Sequence, residues 1–147
     1  MYPLLLLTHS LVRYFILIFL VWVIVQSFKA WRQSAPFSSA DEKAGVWLLI
    51  LSHIQLLLGF GLYATSGLVQ FTPATMKNDV LRYWTVEHIF MMIIAIVLIT
   101  LGRISSKKVS DVPIRGKRLF WFNMVALLVI VVAILTSDRG FFTLRTA

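Results

Sequence analysis

The chain has 147 residues, of which 59% are hydrophobic and 14% charged, and its formal net charge is +8. Soluble domains are about 45–50% apolar and about 25% charged, so this composition argues against a soluble globular protein. The positive charge does not indicate nucleic-acid binding, because the basic residues lie mostly in short connections between long apolar segments, where they act as topology signals and contact lipid headgroups.

Four apolar segments are long enough, or nearly so, to cross a bilayer as helices, which takes roughly 20 residues. In chain order they cover residues 3–28, 46–69, 83–101 and 119–135. We therefore expect one all-α integral membrane domain over residues 1–147, with no room for an extramembrane catalytic domain. Because the connections are short, neighbouring helices are expected to be antiparallel, which predicts an up-down four-helix transmembrane bundle.

The starts of three segments carry recognisable signals. Arg13 interrupts the first segment, which also lacks a basic start and a small-residue cleavage site, so we do not expect a cleaved signal peptide. Ser39 and Glu42 have capping-box spacing, which predicts that the second helix begins before the membrane with Ser39 as its N-cap. Pro113, two residues after Asp111, is a typical start for the fourth helix.

The distribution of Lys and Arg predicts the orientation in the membrane. The first and third connections carry nine basic residues: Lys29, Arg32, Lys43, Arg103, Lys107, Lys108, Arg115, Lys117 and Arg118. The opposite side carries four: Lys77, Arg82, Arg139 and Arg145. Both termini are therefore expected outside, on the periplasmic side of a bacterial inner membrane.

Aromatic residues fall at both predicted membrane boundaries, as aromatic belts do. Trp31, Trp47 and Trp121 lie at the inner boundary, and Tyr83 and Trp84 lie at the outer one.

Placing an ionisable side chain inside a membrane span costs free energy. Such residues are therefore taken as candidate functional residues by default. The candidates are His9 and Arg13 in the first segment, His53 in the second, and Glu87 and His88 in the third. All three histidines of the protein lie in predicted spans. The chain has no cysteine, which excludes disulfides, zinc–thiolate sites, cysteine-ligated iron–sulfur clusters and c-type haem attachment.

His9 and His88 are expected at nearly the same depth. At 1.5 Å per residue, His9 lies roughly 9 Å and His88 roughly 8 Å from the outer ends of their helices. Two imidazoles at matched depth on separate helices are what a bis-histidine haem requires, with the flat macrocycle in an apolar slot between the helices. We therefore predict these two histidines as metal ligands. The other interpretation is that they make structural hydrogen bonds.

His53 lies roughly 10 Å deeper than this pair and does not join it. It is a candidate ligand of a second site, a candidate partner of a quinone oxygen, or a residue that hydrogen-bonds a neighbouring helix. Gly59 and Gly61 follow in the same segment, and their small size would let a ring system or another helix approach closely.

Arg13 lies one turn below His9 on the same helix face. It is a candidate cofactor-binding residue, as the partner of a haem propionate or another anion, or it forms a buried ion pair with Glu87. Met91 and Met92 follow His88 and could bind Cu(I) with it, although methionine is more often core filler.

Three strings in the chain carry a family resemblance: Thr8-His9-Ser10-Leu11-Val12-Arg13, Ser52-His53-Ile54-Gln55-Leu56-Leu57-Leu58-Gly59, and Arg82-Tyr83-Trp84-Thr85-Val86-Glu87-His88 after Met76-Lys77-Asn78. They resemble a group of short bacterial four-span membrane proteins known as cytochrome b or cytochrome b-like, over nearly the whole chain. The resemblance implies a b-type haem protein with His9, His53 and His88 as candidate ligands. Three histidines are too few for the two stacked haems of a respiratory-complex cytochrome b.

These features suggest three alternative functions. The first is one-electron transfer by a single haem b near the outer leaflet, with quinol as a candidate electron donor. The second is a non-redox subunit or assembly factor of a larger complex or homo-oligomer, with structural histidines. The third is a small transporter or metal-handling protein, which the lack of a polar stripe in the fourth segment disfavours. No nucleophile–base motif, phosphate loop or carboxylate dyad indicates hydrolytic catalysis.

Overall fold

The computed structural model describes residues 2–137 and contains four long helices. They are α1 (Tyr2–Gln33), α2 (Ser39–Thr65), α3 (Asp79–Lys107) and α4 (Val112–Thr136). A short 3-10 helix, Thr75–Lys77, lies in the connection between α2 and α3. No strand occurs among the described residues, which confirms the all-α class. Each long helix is long and apolar enough to cross a membrane.

Several helix boundaries differ from the predicted segments. Ser38, rather than Ser39, is the N-cap of α2: its hydroxyl accepts from the Asp41 amide at 3.1 Å, and the Asp41 carboxylate accepts from the Ser38 amide at 2.8 Å. The capping box therefore lies one residue earlier than predicted, because Asp41 takes the role assigned to Glu42. Asp41 also accepts a hydrogen bond from Trp22 Nε1 at 3.0 Å. This bond connects the start of α2 to α1.

The other helix ends have local causes. Ser34 has a φ of 54°, a left-handed conformation that ends α1, and Pro36 follows. The helix α2 ends at Thr65, so residues 66–69 of the second predicted segment are not helical. The prediction for α4 is confirmed: Asp111 Oδ2 accepts from the Ile114 amide, and Pro113 lies in the first turn.

The four helices do not pack equally. Helix α1 packs against α2 and α4, and α4 also packs against α3, whereas α2 and α3 contact each other sparsely. Ten buried apolar residues form the core: Ile16, Leu20, Val23, Ile24, Ala44, Leu48, Ala95, Ile99, Ala126 and Ile130. The sparse contact between α2 and α3 leaves space inside the bundle.

The outward faces of the helices are apolar. Leu57 is 70% exposed, Phe90 65% and Leu135 67%. Side chains of this size on all the outer faces differ from the polar surface that a water-soluble bundle presents. Several hydroxyl groups within the helices donate to the carbonyl four residues earlier, as Ser52 does to Leu48 at 2.7 Å and Thr100 to Ile96 at 2.7 Å, so these groups need no water.

Helices α1 and α4 approach each other closely at Gly116. A Cβ atom there would lie 2.5 Å from Trp31 N, 2.6 Å from Ser27 O and 2.8 Å from Ala30 Cβ. Two of these are backbone atoms that cannot turn away, so only glycine lets α4 approach α1 this closely.

Replacing Gly116 with Ala should push α1 and α4 apart and destabilise the protein by about 1–3 kcal/mol, the usual cost of overpacking. Thermal unfolding of purified protein in mild detergent measures the effect. Gly67→Ala is the control, because no atom lies within 4 Å of its Cβ position. Equal melting temperatures for the two variants would contradict this packing.

Candidate functional site

A cavity of about 170 Å³ lies between the four helices. Most of its walls are apolar, and its polar lining includes two histidines, an arginine and a glutamine. Six residues of the lining with polar side chains are His9, Arg13, Gln55, Tyr63, Tyr83 and His88. A concave, mostly apolar cavity with a few convergent polar groups is the usual form of a small-molecule or cofactor site.

The structure brings His9 of α1 and His88 of α3 together across this cavity. Their ring centroids are 6.4 Å apart and the ring planes make an angle of 61°. The two residues are 79 positions apart in sequence, so only the packing of separate helices unites them. The matched depth expected from the sequence is consistent with this approach.

The segment before His88 is not a regular α-helix. Residues Tyr83–Glu87 form one turn of π-helix within α3. Single π turns occur inside α-helices, frequently at functional sites, and they align residues five positions apart. The turn therefore places Tyr83 on the same face of α3 as His88.

Tyr83 is a site residue that the sequence did not reveal. It was predicted to lie in the outer aromatic belt, but it is 5% exposed and lines the cavity. Its hydroxyl donates to Ala133 O on α4 and lies 3.4 Å from His88 Nδ1. The Trp84 ring also packs on His88, with 5.0 Å between ring centroids. A five-residue spacing matches no α-helical face, so no sequence pattern indicated this contact.

The backbone of α1 at His9 is held from α2. Gln55 Nε2 donates to His9 O at 2.9 Å. Gln55 Oε1 is buried and has no hydrogen-bond partner among the described residues. A Cβ atom on Gly59 would lie 3.7 Å from His9 Nε2, an ordinary contact distance, so the absence of a longer side chain there keeps the cavity beside His9 open.

Arg13 lines the cavity, but the ion pair predicted for it with Glu87 is wrong. Its Nη2 atom donates to Tyr14 Oη at 3.2 Å, and its guanidinium lies 4.9 Å from the centre of the Tyr14 ring. Glu87 instead accepts from Arg82 Nε at 2.9 Å. Arg82 precedes Glu87 by five residues, so the π turn that aligns Tyr83 with His88 also aligns this pair.

His53 lies away from the cavity. It is exposed on the outward face of α2, and its Nδ1 atom donates to Leu49 O of the same helix at 2.8 Å. The structure therefore does not bring the third histidine together with His9 and His88. Among residues 2–137, no group of three or more His, Cys, Asp or Glu side chains is placed to hold a metal ion, so the facing histidines form a two-ligand arrangement.

Comparison of the chain with protein-family models, with curated proteins and with solved structures finds no match. The geometry of the cavity and the chemistry of its side chains are therefore what indicate a function for this protein.

Proposed function

We propose that this protein is an integral membrane protein that would hold one haem b between α1 and α3 through His9 and His88, for one-electron transfer. The observation that carries the proposal is the spacing of the two rings. Metal–nitrogen bonds are about 2.0–2.1 Å long, so two imidazoles that hold one metal ion must approach to within a few ångströms of each other. The separation of 6.4 Å between the His9 and His88 rings fits this requirement.

The surroundings of His9 and His88 also suit a haem. Neutral imidazole is a common haem ligand, and an iron held by two histidines exchanges single electrons. The cavity lining also includes the apolar residues Ile89, Ala95 and Ile130, which suit a flat apolar ring. Arg13, one turn from His9, is the cation that we assign to a haem carboxylate, and Gly59 leaves room for a flat ring beside α2.

We infer that the four helices cross a bacterial inner membrane as an antiparallel up-down bundle with both termini in the periplasm. The apolar outward faces and the nine-to-four distribution of basic residues support this arrangement. The haem then lies near the outer leaflet, within reach of a periplasmic partner, and quinol in the bilayer is the candidate electron donor. Lipid surrounds the outward faces wherever a larger complex or a second copy does not cover them.

A second candidate function is a non-redox membrane subunit in which the polar residues only join helices. Hydrogen bonds between helices favour it: Gln55 binds the His9 carbonyl, Tyr83 binds the Ala133 carbonyl, and Tyr63 Oη donates to Thr85 O at 2.6 Å. Such bonds stabilise a bundle whether or not a cofactor is present. Cofactor content separates the two functions.

The proposal predicts an α-band in the reduced-minus-oxidised spectrum of purified protein and about one iron per chain. His9→Ala and His88→Ala should each lose most of the bound haem, because each removes a histidine that would hold it. His53→Ala is the matched control and should keep it, because His53 lies outside the cavity. Folding of each variant is checked by its melting curve. A wild-type protein with neither α-band nor iron would reject haem binding and favour the structural subunit.

Residue size at position 59 provides a second test of the same site. Gly59→Leu should fill the space beside His9 and reduce haem content several-fold, whereas Gly59→Ala should leave it nearly unchanged, since its Cβ meets His9 Nε2 at 3.7 Å. Pyridine haemochrome assay per milligram of folded protein gives the content. Full retention of haem in Gly59→Leu would contradict a macrocycle beside α2.

The absence of cysteine allows a direct test of orientation. Ala74→Cys and Ser110→Cys place single thiols in exposed positions of the second and third connections. A membrane-impermeant maleimide added to intact spheroplasts should label the first variant and not the second until the membrane is permeabilised. The reverse pattern would overturn the proposed orientation.

A further inference from the structure

Tyr83 and His88 are in contact only because of the π turn. Successive residues of an α-helix are rotated by about 100°, so two residues five positions apart lie about 140° from each other. The π turn Tyr83–Glu87 removes this offset, and the ring centroids of Tyr83 and His88 are 5.8 Å apart. Single π turns are rare and occur frequently at functional sites.

The hydrogen bonds of Tyr83 determine how it meets His88. A phenolic hydroxyl has one proton to donate and retains lone pairs to accept. Tyr83 donates its proton to Ala133 O, a carbonyl that can only accept. At the 3.4 Å contact with His88 Nδ1, the Tyr83 oxygen is therefore the acceptor, and Nδ1 carries the proton.

We propose that Tyr83 is a positioning residue for His88, which it holds in the Nδ1–H tautomer with the lone pair on Nε2. A histidine that ligates a metal almost always donates its other ring N–H to an oxygen partner, which fixes the tautomer and ring orientation and raises the basicity of the ligating nitrogen. Tyr83 supplies this oxygen, and the Ala133 carbonyl prevents the hydroxyl from acting as a donor to His88. The tautomer is a property of this chain, whereas its effect on iron rests on the proposed function.

Tyr83 also joins α3 to α4 through Ala133, so a test must separate this structural link from the effect on His88. Tyr63 offers a matched control, because its hydroxyl also lines the cavity and donates to a backbone carbonyl, Thr85 O. The structure records no hydrogen bond from Tyr63 to His88 among the described residues. Tyr63→Phe therefore removes a comparable link between helices and leaves the oxygen partner of His88 in place.

The first measurement uses protein purified without haem and labelled with ¹⁵N-histidine, at a pH where the imidazoles are neutral. The chain has three histidines, so His9→Ala and His53→Ala variants assign the His88 signals. Wild-type His88 should show the Nδ1–H tautomer, Tyr83→Phe should convert it to a mixture with Nε2–H, and Tyr63→Phe should retain the wild-type form. An Nε2–H signal in the wild type, or the same change in Tyr63→Phe, would overturn the inference without any variant having to bind haem.

The second measurement is the midpoint potential of the haem-loaded protein. Without the Tyr83 oxygen, the Nε2 atom of His88 is a weaker electron donor, so Tyr83→Phe should shift the potential in the positive direction at unchanged haem content. Tyr63→Phe should not shift it. If the wild type binds no haem, the proposed function fails while the tautomer still decides the role of Tyr83. If haem binds and Tyr83→Phe leaves both tautomer and potential unchanged, the inference fails while the proposed function stands.

Discussion

The approach of the His9 and His88 rings to 6.4 Å is the contact on which the site depends. It requires that α1 and α3 face each other across a cavity that neighbouring side chains leave open. The uneven packing of the bundle meets this requirement, because α4 contacts both helices while α2 and α3 remain apart. A bundle with equally tight contacts between all neighbours would fill the same space with core side chains, as happens around Leu20 and Leu48.

A chain with apolar outward faces must satisfy its polar groups from within. In this protein many of these groups bind to the backbone: Ser52 and Thr100 to their own helices, Gln55 to the His9 carbonyl and Tyr83 to the Ala133 carbonyl. These bonds hold the helices at fixed positions without requiring water. The same bonds fix the surroundings of the facing histidines, so stability and site geometry have a common origin.

The sequence predicted much of the fold, because the physical signals for it are local. Four long apolar segments, the Asp111-Pro113 start and a cap before the second helix can all be recognised along the chain. Errors arose where two adjacent residues offered the same chemistry, as when Ser38 and Asp41 took the roles assigned to Ser39 and Glu42. The pairing of Glu87 with Arg82 was missed because a π turn changes which residues are neighbours.

By itself the sequence determined the position of each polar residue along its helix axis, since every helical residue advances the chain by about 1.5 Å. It therefore placed His9 and His88 at one level and His53 at another. Only the tertiary structure decided the direction in which each side chain points from its helix axis. His53 faces outward, Arg13 lines the cavity, and Tyr83 contacts His88. The reason is that rotation about a helix axis depends on which helices pack against it, and the π turn rotates His88 relative to every residue before it.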